Sequence, residues 1–361
     1  MSPQALQERL NLLFQQNRWP EAADLLGSYL EDYPDDYAAR LNYITVLLNT
    51  GEKNTARTLI GPMLEETPDD EAVLHLAGYI ELVDKKPKVA EQFADQLLQL
   101  NPENDEAYLL MAKAKLEQRN YDAAIQHLDN ALAQDSQNQE ALNLKIYVGG
   151  FLGKTDTGTT IADALANNPE DASTIANHGY QLLREGKVEQ ALERLGEALS
   201  KDPNDSLGRY AMLEALKARF WPYRMYFKYQ EAMAKLSGGA SMGIVIGLWF
   251  GVNFLNRFAE NNPAYAPFIK PLVYLMVGLF LLTWIIDPIM NFYLLTNKYG
   301  RLLLDQDSKL MAKLTGGSLG LALLCLLTYL GTDLFLFQAL AFLFLVLTIP
   351  LGSFLRPVRP R

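Results

Sequence analysis

The sequence predicts an all-α chain in two unlike parts, a solenoid of helical hairpins followed by a four-helix transmembrane domain. Three observations carry that prediction. A proline returns at a step of 33 or 34 residues through the first half. The acidic residues concentrate in the same half. Four long apolar runs fill the second.

The repeat comes first, because a missed period misassigns the whole fold. Pro34, Pro68, Pro102, Pro169 and Pro203 share one register, with Ser136 in the vacant slot. Twelve positions before each stands a small residue: Ala22, Ala56, Ala90, Ala124, Thr157 and Ala191. Within a unit, apolar residues fall at helical spacing, and a short break such as "NTGEKN" or "REGKVE" separates two helices. The small residues let the paired helices approach, and proline marks the turn into the next unit. Six units cover about residues 3–203. A helix "SLGRYAMLEALKAR" over 206–219 caps the last, so the array spans 1–219.

One unit carries a resemblance. "IANHGYQLLREGKVEQALERLGEALSKDPN", Ile175–Asn204, resembles the tetratricopeptide repeat in its Gly179-Tyr180, its Gly186, its Ala191 and its Pro203. The resemblance implies a superhelix whose concave face binds a protein partner or peptide segment. By the same resemblance Asn42, Thr45, His75, Tyr79, Lys113, Asn143, Asn177, Tyr180 and Tyr210 point into that face. The set is polar and aromatic with one lysine, so the basic clamp some such repeats use for a peptide carboxylate is absent. The whole layout is similar to that of bacterial repeat-plus-membrane proteins.

The stretch "YVGGFLGKTDTG", Tyr147–Gly158, imitates a phosphate-binding loop through Gly153-Lys154-Thr155. The loop motif needs a glycine five positions before Gly153, where Val148 stands, and a strand ahead of it. The preceding segment reads as a helix, so this is a repeat turn rather than a nucleotide cradle.

Charge divides the chain. Residues 1–220 hold 36 acids and 20 bases, a net of −16, and residues 221–361 hold 6 acids and 12 bases, a net of +6. An acidic array repels nucleic acid, which needs a basic face. The single Cys325 excludes a disulfide within the chain. The opening "MSPQALQERLNLLF" reads as an amphipathic helix and not as a signal segment, so the array is expected to stay on the side of synthesis.

Residues 220–236, within "KARFWPYRMYFKYQEAMAK", form an interfacial linker helix started by Pro222. Its rings suit headgroup depth and its bases suit anionic membrane lipids; beside a spanning helix this outweighs stacking on nucleic-acid bases. The transmembrane domain covers 237–355, with helices at about 237–256, 268–288, 314–332 and 334–353, and a basic tail at 356–361. Twelve bases flank one side of these spans: Lys217, Arg219, Arg224, Lys228, Lys235, Lys298, Arg301, Lys309, Lys313, Arg356, Arg359 and Arg361. Arg257 and Lys270 alone flank the other. That bias predicts both termini in the cytoplasm, with a bacterial inner membrane as the setting.

Chemistry-bearing residues are sparse. His75, His127 and His178 sit in different repeats without partners at ligand spacing, so no metal is expected. No nucleophile elbow, zinc motif or dinucleotide fingerprint occurs, so the chain is expected to need no cofactor and to be no enzyme. Asp287, followed by Pro288, lies in an apolar run, where an acid is a functional candidate by default. Seventeen residues past Lys270, about 25 Å along a helix, it reaches the inner interface, which leaves interfacial, transport and helix-to-helix roles open. Gly239, Gly243, Gly247 and Gly251 form one groove on the first span, for packing within the chain or for a homo-oligomer. Gly316 and Gly320 repeat the pattern in the third span. The reading that fits these features is a membrane-anchored scaffold that recruits a protein partner. Its rivals are an assembly factor or chaperone of a membrane complex, and a transporter or channel-like module capped by the repeats.

Overall fold

The structure is a computed structural model that describes residues 1–153, 157–236 and 238–353. Lys154, Thr155, Ser237 and the tail bases Arg356, Arg359 and Arg361 lie outside the described residues. Every regular element among the described residues is an α-helix, and the chain divides into two compact units, Met1–Asn167 and Asn168–Arg361.

The first unit holds five hairpins: α1 (Pro3–Gln15) with α2 (Trp19–Asp32), α3 (Tyr37–Thr50) with α4 (Lys53–Glu66), α5 (Glu71–Val83) with α6 (Pro87–Leu100), α7 (Asp105–Glu117) with α8 (Tyr121–Gln134), and α9 (Gln139–Leu152) with α10 (Thr157–Asn167). The second helix of each hairpin buries one stripe, as α6 does through Ala90, Ala94 and Leu97, whereas first helices such as α7 are buried on several sides. Leu10, Leu26, Ile44, Leu47, Leu97, Leu109 and Leu128 are all but sealed from solvent. The small-residue column sits where the helices touch: Ala22, Ala56, Ala90 and Ala124 have no exposed surface, and Thr157 is 4% exposed. The proline column falls in the turns between hairpins.

Two further columns share the repeat, and both act on helix ends. Asp36, Asp70, Asn104, Asn138, Asp171 and Asp205 each accept a backbone N–H in the first turn of the helix that follows, at 2.5–3.1 Å. Such caps hold the start of each hairpin, at about 1 kcal/mol apiece. Asn17, Gly51, Lys85, Arg119, Gly153 and Gly186 all have left-handed φ between 54° and 86°, each just past the first helix of a hairpin. That conformation turns the chain back on itself, and glycine adopts it freely. Gly153 therefore serves as a helix stop after α9, and the helix, not a strand, excludes a phosphate cradle there.

Neighbouring repeats are also tied across their polar edges. Arg57 reaches from α4 to Glu81 and Asp84 at 2.5 Å each, and Asn104 and Asn138 donate to Glu71 and Asp105 of the preceding repeat at 2.6 and 2.7 Å. Gly78 faces Leu110: a Cβ there would stand 2.5 Å from Leu110 Cδ2, so α5 and α7 approach only because that side chain is missing.

The second unit begins with one more hairpin, α11 (Ala172–Arg184) and α12 (Val188–Lys201), closed around Ala191 and Gly179. The helix α13 (Ser206–Ala218) caps it, and α14 (Trp221–Lys235) packs on α13, started by Pro222 in its first turn. Then come α15 (Gly238–Asn261), α16 (Ala266–Thr296), the short α17 (Lys298–Leu303), α18 (Gln306–Thr332) and α19 (Phe335–Ser353). Asp333 turns α18 into α19 with φ 54°, and Ser318 Oγ donates to Phe344 O at 2.6 Å across the pair.

Four spans are expected in this region, and two helices are long and apolar enough to cross a membrane, Met242–Asn261 and Gln306–Thr332. The second expected span is bent by 54° between Ala266–Phe280 and Ile285–Thr296, and counts as a third only if both pieces are taken together. Pro288 lies just past the bend, where its missing N–H and its ring break the helical ladder. The fourth apolar stretch, Phe335–Thr348, is shorter than about 20 residues of rise requires. The surfaces of these helices are apolar nonetheless: Phe254, Phe268, Leu330, Phe335 and Phe342 are all more than two-thirds exposed.

Candidate functional site

The first unit gathers part of the expected binding face. Asn42 and Thr45 lie on α3, His75 and Tyr79 on α5, Lys113 on α7 and Asn143 on α9, all half-buried. Lys113 Nζ stands 2.7 Å from Glu140 Oε1 and 5.3 Å from the centre of the Tyr79 ring. His75 Nε2 lies 3.6 Å from Glu106 Oε2. Burial, and then the Lys113 charge, hold His75 below its ordinary value, so at neutral pH this contact is not an ion pair. Burial and the neighbouring Asp105 push the Glu106 carboxyl up. Thr45 Oγ1 donates to Leu41 O of its own turn at 3.0 Å. The result is one face on which an aromatic ring, a lysine, an imidazole and two carboxyls are adjacent. Glu106 and Glu140 are additions to the expected face, and they stand one repeat apart in a single column, which is the signal that could have found them.

In the second unit the corresponding residues are covered. Tyr180 is 3% exposed, and Asn177 6%. Tyr180 OH donates to Glu231 Oε1 at 3.1 Å, and its ring meets those of Tyr210 and Phe227 edge-on at 6.0 and 6.3 Å. Arg184 Nε donates to Glu231 Oε2 at 3.0 Å, and its guanidinium Cζ lies 4.3 Å from the Tyr180 ring centre. Asn177 Nδ2 donates to Ser173 O at 3.0 Å. Phe227 and Glu231, one helical turn apart on α14, thus cover Tyr180. An expectation that Asn177 and Tyr180 present themselves to a partner does not fit this packing.

A second constellation joins α13, α14 and α16. Lys217 Nζ lies 3.1 Å from Glu214 Oε1 and 3.3 Å from Asp287 Oδ1. Tyr223 OH stands 2.8 Å from Glu214 Oε2 and 2.8 Å from Asp287 Oδ1, and Tyr226 OH donates to Asp287 Oδ2 at 3.1 Å. Gln230 Nε2 in turn donates to Tyr226 OH. Glu214, Lys217 and Tyr223 are buried. Burial opposes the charge on Lys217, but the carboxylates of Glu214 and Asp287 outweigh it and hold the ammonium above its ordinary value. Burial and the same two carboxylates drive the Tyr223 phenol well above its own. Every oxygen of Asp287 therefore faces a donor from the preceding helices.

This junction corrects one detail of the charge count. Lys217, expected among the bases on the membrane-facing edge, is buried against Asp287 because two carboxylates compensate its dehydration.

The remaining candidates are dispersed. His127 and His178 are held below the ordinary imidazole value by burial. Among the described residues no cluster of His, Cys, Asp or Glu could hold a metal ion. Gly316 packs beneath the Phe292 ring, with 2.2 Å left for a Cβ, whereas at Gly320 and the four glycines of α15 (239, 243, 247 and 251) no other part of the described chain lies within 4 Å of that position.

Comparison with known proteins bears on the array. A tetratricopeptide-repeat family model matches residues 13–78 and 83–145. A crystal structure of a tetratricopeptide repeat protein from Parabacteroides merdae ATCC 43184 is 18% identical, with a TM-score of 0.50 over 58% of this chain and 83% of that one. The hetero-tetramer Cut9-Hcn1 of the APC/C is 16% identical, with a TM-score of 0.52 over 77% of this chain. This chain spans 52% of that longer one. A thermophilic repeat protein in Thermus thermophilus is 20% identical over 49% of this chain and 97% of its own, with a TM-score of 0.45. No curated protein matches. The matched residues, within 13–145, thus carry tetratricopeptide repeats, an architecture suited to protein–protein interaction, and the structural likenesses show the same all-helical fold.

Proposed function

We propose that the chain is a membrane-anchored scaffold whose repeats recruit a protein partner or peptide segment on the cytoplasmic side of a bacterial inner membrane. The observation that carries the recruiting role is the contrast between the two groove faces. Residues around Tyr79 and Lys113 are half-buried on the first unit, while those around Tyr180 are covered by α14. The partner therefore engages α3, α5, α7 and α9. Glu106 and Glu140 beside Lys113 favour a segment with its own hydrogen-bond donors over an acidic one. The role needs no catalysis, cofactor, metal or nucleic acid.

Anchoring rests on two apolar helices of spanning length, on the exposed rings of α16 and α19, and on the exposed leucines of α18. The finer picture, with four spans, lipid around them and both termini cytoplasmic, is the reading the base distribution supports. Asp287 supports tethering over transport: Lys217, Tyr223 and Tyr226 from α13 and α14 already engage both oxygens of its carboxylate. The chaperone rival shares the anchor and differs only in what the membrane helices bind. The unpartnered glycine groove of α15 supports pairing with a second copy over packing within the chain.

Photo-crosslinking in native membranes tests the recruiting role. A photoreactive residue at Asn42 or His75 should give adducts with a second protein, and one at Gln126, on the exposed side of α8, should not. Adducts from Gln126 alone would move the interface to the convex face and overturn the groove assignment.

A further inference from the structure

The linker helix α14 has two faces, and among the described residues only one is packed. Tyr223, Tyr226 and Phe227 are buried, and Glu231 binds Arg184 and Tyr180. Opposite them, Trp221, Met225 and Tyr229 recur every fourth residue, 70%, 64% and 45% exposed. A large side chain every turn is the pattern that buries a helix face, so one side of α14 is built for burial and is not buried by the described residues. Lys228 and Lys235 are exposed along the border of that stripe, and Arg224 is half-buried there. Arg224 is also held by its Nε donating to Ala218 O at 3.2 Å.

The same combination recurs at the far end of α16. The short helix α17 exposes Tyr299 and Leu302, both more than two-thirds, and its Lys298 and Arg301 are exposed beside them. The two elements belong to one surface region. Phe220, at the start of α14, meets Tyr293 of α16 edge-on at 4.7 Å, and Arg209 of α13 donates to Leu303 O of α17 at 3.2 Å. Five bases thus stand with five large apolar or aromatic residues on α14 and α17. Their acids are Glu231, tied to Arg184 at 3.0 Å, and the following Asp305, which caps α18.

We infer that the outer face of α14, together with α17, is an anionic-lipid binding surface that seats the repeat array against the membrane. The inference rests on the anchored reading and deepens it. A protein partner would need to match rings set along two separate helices. A bilayer surface accepts aromatic rings at headgroup depth and attracts bases wherever they stand beside them. The stripe also leads directly into α15, whose apolar surface begins three residues after α14 ends. Each exposed base close to an anionic surface is worth about fivefold in partitioning. Lys228, Lys298 and Arg301 together should then make the seating depend strongly on lipid charge, while a neutral bilayer holds the same helices loosely.

The full chain, with Cys325→Ala, can be reconstituted in nanodiscs and spin-labelled through Met225→Cys or, separately, Tyr299→Cys. Collision with oxygen and with a water-soluble nickel chelate reports whether each label lies in lipid or in water. In discs of phosphatidylcholine mixed with phosphatidylglycerol, both labels should be shielded severalfold from nickel relative to discs of phosphatidylcholine alone. The combined variant Lys228→Glu, Lys298→Glu, Arg301→Glu should abolish that difference. Labels that are aqueous in both discs would overturn the inference and leave the face to a protein. Labels equally shielded in both would overturn the role of lipid charge. A third label, Leu323→Cys on α18, separates this from the anchored reading. Leu323 in lipid with Met225 in water would sink the inference alone, whereas Leu323 in water would sink the anchor as well.

Discussion

Lys217 Nζ and Asp287 Oδ1 lie 3.3 Å apart across 70 positions of sequence, and they join the helix that caps the repeats to the bent helix α16. Lys217 is buried and serves two carboxylates, so its loss and the loss of Asp287 are not equivalent. Lys217→Met leaves the buried Glu214 and the half-buried Asp287 without a counter-charge and should cost about 3–5 kcal/mol. Asp287→Asn keeps an acceptor for Tyr223 and leaves Lys217 paired with Glu214, so it should cost about 1–2 kcal/mol. Adding Glu214→Gln and Asp287→Asn to Lys217→Met should recover most of the loss, because no charge then remains. Thermal unfolding of the full chain in detergent ranks the three. Equal destabilisation by the two single changes would mean that the junction does not work as a charge cluster. Proton flux in vesicles that Asp287→Asn removes would restore the transport reading.

Acid should weaken the repeats in a way set by their imidazoles. Burial lowers His75, His127 and His178 from the ordinary 6.5. The unfolded chain then binds protons first as pH falls, so stability present above about pH 6.5 is lost as pH drops through the lower folded values. Asp84, lowered by its hydrogen bond from Lys53, and Glu185, lowered by Lys187, add losses of the same sign at more acid pH. Glu106, raised by burial, has the opposite sign and recovers a little. Replacing the three histidines by Gln should flatten the slope of the midpoint between pH 6.5 and 5. An unchanged slope would show that the imidazoles are hydrated in solution.

The column of left-handed residues offers a gain. Gly51, Gly153 and Gly186 occupy it without strain, while Lys85 holds φ 61° with a side chain. Lys85→Gly should stabilise the array by about 1 kcal/mol, less the small worth of the exposed ion pair Lys85 forms with Glu117 at 3.2 Å. Melting of the full chain checks the sign. A lower midpoint would mean that the greater freedom of glycine in the unfolded chain outweighs the relief of strain.

How far the residues announce this architecture depends on the scale at which their pattern acts. The proline and small-residue columns arise from contacts between adjacent helices, which recur with the period, so the repeats can be read directly. The capping residues share that period but vary between Asp and Asn, which hides them as a column. The left-handed column shows in the sequence only where glycine marks it. Glu106 and Glu140 belong to a column too, but surface carboxylates are too common in an acidic array to stand out. Contact across long separations leaves no such mark. Tyr180 has the position of a groove residue in its own repeat, and only the return of Phe227 and Glu231, 47 and 51 positions later, covers it. Asp287 likewise looks solitary in the sequence because its three donors lie 61 to 70 positions away.

The glycine groove of α15 separates folding from association. No atom of the chain's own described residues lies within 4 Å of a Cβ built at Gly239, Gly243, Gly247 or Gly251, in contrast to Gly179, where Leu195 Cγ stands at 2.7 Å. Gly179→Ala should therefore destabilise the sixth hairpin by about 1–3 kcal/mol through overpacking. Gly243→Leu with Gly247→Leu should leave the melting of a single chain unchanged, since both side chains enter open space. If two copies pair through this groove, the same double change removes the close backbone approach on which their packing depends. Crosslinking in membranes before and after the change, with melting in detergent as the control for folding, distinguishes the cases. A dimer that persists in the double variant would place the contact elsewhere. A natural chain that never crosslinks to itself would leave the groove to lipid or to another protein.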